Sequence, residues 1–136
     1  MNKRIPSSSS TDFFLLFLRL FASAGMLLNH GIPKLERLFS GEEIKFYSFL
    51  GMGPVVSLVL AVFAEAICSA LVAVGLWSRY AAIPVMFTML VAAFGAGWDR
   101  GFKGMEMALL YFFLFTVVFV FGPGKYSLDK NIHPRK

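Results

Sequence analysis

The chain is poor in the residues that most often carry chemistry: one cysteine, two histidines and only 15% charged residues among 136. A lone Cys68 cannot close a disulfide within the chain, nor supply the paired cysteines of a four-helix, quinone-reducing dithiol oxidase. Membrane haem held by two histidines is excluded too, because His30 stands alone beside an apolar run and His133 falls in the polar end. No glycine-rich phosphate loop, zinc-ligand spacing or nucleophile elbow occurs, so no metal site is expected and the chain carries no autonomous catalytic motif. Net charge is +5, yet the Lys and Arg residues are scattered through short loops and the ends. Without a basic stripe or RNA-binding signature, nucleic acid is not an expected partner.

What is abundant is apolar surface. Hydrophobic residues make up 57% of the chain, sixteen of them Phe and seven Met, and mean hydropathy is +0.69. Such a chain reads as an integral membrane protein with lipid as its first partner. Four runs are long enough to cross a hydrocarbon core of about 30 Å. They predict helices over about 13–31, 55–77, 80–98 and 105–121, with Pro33 ending the first, Gly53-Pro54 opening the second, Pro84 in the first turn of the third, and Gly122-Pro123-Gly124 closing the fourth. The expected fold is all-α, an integral membrane four-helix bundle at 13–124. Residues 1–12 read as a flexible lead and 125–136 as a polar tail.

Lys3 and Arg4, the run Phe13 to Phe21 and the small residues Ala22-Ser23-Ala24 together mimic a secretory signal peptide. Arg19 inside that apolar run argues against cleavage. The longest connection, 34–53, interleaves Leu35, Leu38, Phe39, Ile44, Phe46, Tyr47, Phe49 and Leu50 with charges. It reads as an interfacial anchor, with a lid over the bundle end as the alternative. Lys and Arg are seven on the side of the two termini (Lys3, Arg4, Arg79, Lys125, Lys130, Arg135, Lys136) and five on the other (Lys34, Arg37, Lys45, Arg100, Lys103). That bias places both termini in the cytoplasm.

Within this apolar background the ionisable residues stand out: Arg19 in the first run, Glu65 at the centre of the second, Glu106 at the start of the fourth. A charge at bilayer depth costs at least ~2.5–3.5 kcal/mol, so each needs a partner, a cavity or a ligand. Arg19 lies roughly three residues to the cytoplasmic side of its helix centre, a rise of ~4–5 Å that its side chain can bridge. The expectation is an Arg19–Glu65 ion pair, read either as glue between helices or as a proton-handling site. A second cluster is expected at the opposite membrane face: His30, Lys34, Trp98, Asp99, Arg100, Lys103 and Glu106. Arg19, Ser23, Met26, His30 and Lys34 recur at helical spacing, a polar track from mid-membrane outward. Glu106 also suits a helix N-terminus, His30 a loop hydrogen bond or a proton shuttle, and Cys68 inert packing. The phenylalanines of the fourth run, Phe112, Phe113, Phe115, Phe119 and Phe121, suit lipid contact and packing.

Arg19, His30-Gly31-x-x-Lys34, Ala64-Glu65, Glu106-x-Ala108-Leu109-Leu110-Tyr111 and the closing Gly122-Pro123-Gly124-Lys125-Tyr126-Ser127-Leu128-Asp129 together resemble the DoxX family. The resemblance covers nearly the whole chain after residue 12, and the closing segment is its most specific piece. It implies a bacterial inner-membrane protein, similar in layout to the DoxD-type subunit of thiosulfate:quinone oxidoreductase, with some relatives in oxidoreductase complexes of thiol and oxidative stress. The implied function is a membrane subunit of a quinone-linked oxidoreductase. A quinone, not covalently held, would dock near Glu65 and Arg19 or near His30 and Glu106. Glu65 or His30 would handle protons, Lys34 and Lys103 would attract an anionic substrate, and a partner protein would supply electrons. The alternative is a non-enzymatic membrane module that binds lipid or a small molecule or assembles other membrane proteins.

Overall fold

Residues 8–132 are described by a computed structural model. Lys3, Arg4, His133, Arg135 and Lys136 lie outside them. Four helices long and apolar enough to cross a membrane form an all-α bundle: Ser9–Phe39, Pro54–Val74, Ser78–Ala96 and Trp98–Phe121. The third and fourth pack most extensively on each other, and the first lies along the second and the fourth. Small residues allow close approach at the centre. Ala22, Met26, Cys68, Val72, Ala82, Val85, Met89, Phe115 and Val118 make the main core. Phe13, Phe14, Phe17, Phe21 and Phe113 stay exposed, as a lipid-facing surface requires. Of the fourth helix's phenylalanines, Phe115 is fully buried, whereas Phe113, Phe119 and Phe121 face outward.

The first helix departs from expectation at both ends. It begins at Ser9, inside the expected flexible lead, because the Ser8 hydroxyl accepts the Thr11 N–H at 3.2 Å and caps it. Asp12 is buried and accepts the Lys125 N–H at 3.0 Å. Nor does Pro33 stop this helix. A π-helical turn, Leu27–Gly31, precedes it, and the chain continues in α-helix from Ile32 to Phe39. Proline lacks the N–H that a straight α-helix would use and crowds the preceding turn; a locally widened turn removes both conflicts. The second helix carries its own π-helical segment, Phe63–Cys68, and the third ends in one, Ala92–Ala96.

The end of the bundle at which the first helix begins is closed by residues 123–132. The second helix stops at Gly75, in left-handed conformation with φ +77°, where a Cβ would strike Ser127. Trp77 follows at φ +47°, and the Asp129 carboxylate accepts the N–H groups of Trp77 at 2.6 Å and Ser78 at 3.0 Å. A carboxylate on the first N–H groups of the third helix is the favourable charge for that helix end. The third helix therefore starts at Ser78, with Pro84 well inside it. Residues 125–129, read from sequence as the start of a tail, are built into the bundle, and Leu128–Ile132 is a short helix.

Candidate functional site

Arg19 and Glu65 do not pair. Arg19, 2% exposed, spends its guanidinium on carbonyls at the end closed by residues 123–132: Nε donates to Ala73 O at 3.2 Å, Nη1 to Pro123 O at 2.6 Å and Nη2 to Tyr126 O at 2.7 Å. Ala73 lies in the last turn of one helix, where its carbonyl has no helical N–H to accept from and shares the negative end of the dipole, and Pro123 and Tyr126 lie beyond the end of another, outside any helical ladder. A planar fork of donors suits them better than a carboxylate a full turn or more deeper. Arg19 is a clasp that holds the closing segment.

Glu65 pairs instead with Lys34, whose Nζ donates to Oε2. Two features bring them together. The π-helical segments Leu27–Gly31 and Phe63–Cys68 lie side by side, which shifts the register of both helices at this depth. Gly31 makes the approach possible: a Cβ there would sit 2.7 Å from Glu65 O and 3.0 Å from Ala66 Cα. Lys34 lies one turn outward, and its long side chain reaches back into the bundle. Gly31→Ala is expected to cost about 1–3 kcal/mol through overpacking against backbone that cannot yield, read as a lower Tm in detergent.

Glu65 is fully buried, and its Oε1 has no hydrogen-bond partner among the described residues. It belongs to the wall of a cavity of about 320 Å³ between the second and third helices. The wall is mostly apolar and aromatic, with Phe46, Phe49, Phe63 and Phe87 on it; Lys34, Tyr47, Ser57 and Thr88 supply the other polar groups. Here the connection read as an interfacial anchor proves to be a cover. Tyr47 packs its ring against Gly95, where a Cβ would lie 2.8 Å from it, and Phe49 meets Phe87 edge to face at 5.7 Å. Lys34 Nζ stands 5.8 Å from the Phe46 ring centre, within cation–π range. The Phe49 N–H donates to Ser57 Oγ at 2.9 Å, which in turn donates to Gly53 O at 2.7 Å. Aromatic residues interleaved with charges were the legible sign of this cover; its side of the bundle was not.

The expected outer cluster comes together only in part. His30 is half-buried, close enough to Glu65 and Lys34 to feel both charges, and stacks edge to face on Tyr111 at 5.5 Å. Glu106 and Lys103 are exposed and stand apart from the pair, because the fourth helix already starts at Trp98 and carries them on its outer turns. Cys68 is buried in the apolar core. Among the described residues no three His, Cys, Asp or Glu side chains converge as a metal site would require.

Comparison with curated proteins and with solved structures gave no match. A family model, DoxX, matches residues 14–98, more than half of the chain, and that stretch contains Arg19, His30, Gly31, Lys34, the cavity's covering loop and Glu65. The chain belongs to the DoxX family of membrane proteins.

Proposed function

We propose that this protein is the membrane subunit of a quinone-linked oxidoreductase, with the cavity beside Glu65 as the quinone head-group site. One observation carries the reading: a fully buried carboxylate with an unpartnered oxygen on the wall of an aromatic-lined cavity at bilayer depth. An intramembrane ionisable group of this kind is rare and is retained where it handles a ligand or a proton.

The residues fit such a head group. Phe46, Phe49 and Phe87 offer ring faces and edges to a flat ring. About 320 Å³ is at the small end of ligand sites, enough for a head group whose tail runs into lipid. Lys34 has donors for a carbonyl oxygen and Glu65 an acceptor for a hydroxyl. A bound quinone supplies two-electron chemistry that takes up two protons on reduction. Glu65 Oε1 can receive a proton and Lys34 Nζ can give one within the wall, and His30 stands near that pair and against Tyr111. The electrons come from a partner protein, in keeping with a sequence that has no redox-cofactor motif. Under the Lys and Arg bias the protein sits in the bacterial inner membrane with both termini cytoplasmic, and the cavity lies in the outer half.

Purification in mild detergent followed by mass spectrometry of extracted small molecules tests the reading. Close to one quinone per protein is expected, with most of it lost in Glu65→Gln. Lipid alone in both samples, with no redox protein co-purifying, would instead favour a non-enzymatic lipid- or small-molecule-binding module.

A further inference from the structure

Two hydroxyls of the residues that line the cavity, those of Ser57 and Thr88, have already spent their protons. Thr88 Oγ1 donates to Pro84 O at 2.8 Å, and Ser57 Oγ donates to Gly53 O at 2.7 Å while accepting the Phe49 N–H, so neither hydroxyl has a proton left for a ligand. Glu65 accepts from Lys34 at Oε2, and its Oε1 is unmet among the described residues. Lys34 has committed one proton to Oε2 and keeps 21% of its side chain exposed. Tyr47, against Gly95, can turn either way. The wall therefore offers ammonium protons from Lys34 and, at Glu65 Oε1, an acceptor that no donor meets among the described residues.

Resting on the quinone reading above, we infer that the cavity selects ligands that present a hydroxyl donor to Glu65 Oε1, and so binds the reduced quinol more tightly than the quinone. A quinone carbonyl can accept from Lys34, but a quinone has no proton to give and leaves Oε1 unsatisfied. A quinol hydroxyl donates to Oε1 and relieves it. A hydrogen bond to a charged acceptor in a dry site discriminates by about tenfold to a hundredfold. Each factor of ten raises the potential of the bound two-electron couple by about 30 mV. The site would then draw electrons into the quinone pool and hold the product until its hydroxyl proton is replaced by another donor.

The test is equilibrium binding to the purified protein in nanodiscs, without turnover. Anaerobic titration compares a short-chain benzoquinol with the matching benzoquinone. In parallel a 4-alkylphenol is compared with its methyl ether, which has nearly the same shape and no donor. At least tenfold preference for the quinol and for the phenol is expected, shrinking to under threefold in Glu65→Gln. Equal affinity within each pair, or tighter binding of the quinone and the ether, overturns the donor selectivity while leaving the quinone site standing. Binding of no member of either pair overturns both. Phenol against ether on the unaltered protein decides the matter even where the variant does not fold.

Discussion

Lys34→Met is expected to destabilise the bundle more than either loss of charge at Glu106 or Lys103. Removing the ammonium leaves Glu65 buried with neither oxygen paired among the described residues. Stranding one member of a buried ion pair costs about 3–5 kcal/mol, and the lower end applies here because Lys34 keeps 21% of its side chain exposed. The mirror change, Glu65→Gln, leaves an ammonium that can turn toward water and head groups, so its cost should be smaller, about 1–2 kcal/mol. Combining the two removes both charges and should recover much of the loss. A double-mutant cycle on Tm or on denaturant midpoint in one detergent gives the coupling directly. Additive losses, with no recovery in the double variant, would show that the two residues act independently.

Arg19→Met is the second large effect, and it falls on the opposite end. The guanidinium serves the carbonyls of Ala73, Pro123 and Tyr126, all inside or against the bundle. Methionine fills the stem's volume and leaves those acceptors bare. Each hydrogen bond from a charged donor contributes about 1.5–3 kcal/mol, although water reaching that end will replace part of that. The loss should show as release of residues 122–132: faster amide exchange there, and cleavage after Lys125 or Lys130 by a protease that the intact protein resists. Because Arg19 and Glu65 belong to different ends, quinone content should survive in the protein that remains folded. Loss of ligand together with an unmoved closing segment would contradict this division.

Spacing and composition made the four helices legible and singled out Arg19, Glu65, His30 and Lys34 as ionisable groups in need of partners. The pairing was not legible, for two physical reasons. Depth along an ideal helix put Arg19 and Glu65 within reach, but that arithmetic assumes 1.5 Å per residue throughout. The π-helical turns at Leu27–Gly31 and Phe63–Cys68 break the assumption, and nothing in the residues marks a π turn except Pro33 just beyond the first. The second reason is competition. The free carbonyls at the helix ends are invisible in an amino-acid sequence, yet they outbid the carboxylate for Arg19. Pro33, read as a stop, shows the same limit, since a proline's effect depends on whether the turn before it can widen. Glu106 and Lys103 misled because Gly95, Gly97 and Gly101 marked a short loop before a helix expected at 105–121, whereas that helix already starts at Trp98. Gly97 and Gly104 instead let backbone meet backbone at a sharp corner, with a Cβ on Gly97 falling 2.7 Å from Gly104 O.

The clasp on Arg19 also imposes an order on biogenesis. Its partners arrive at very different times during synthesis: Ala73 with the second helix, Pro123 and Tyr126 only after the fourth has been made. A nascent first helix therefore enters the membrane carrying an unsatisfied charge, and it acquires its last two acceptors only after the fourth helix has been made. Until then the helix is a reluctant membrane resident, and the guanidinium acts as a timer that withholds final locking from any chain cut short before Tyr126.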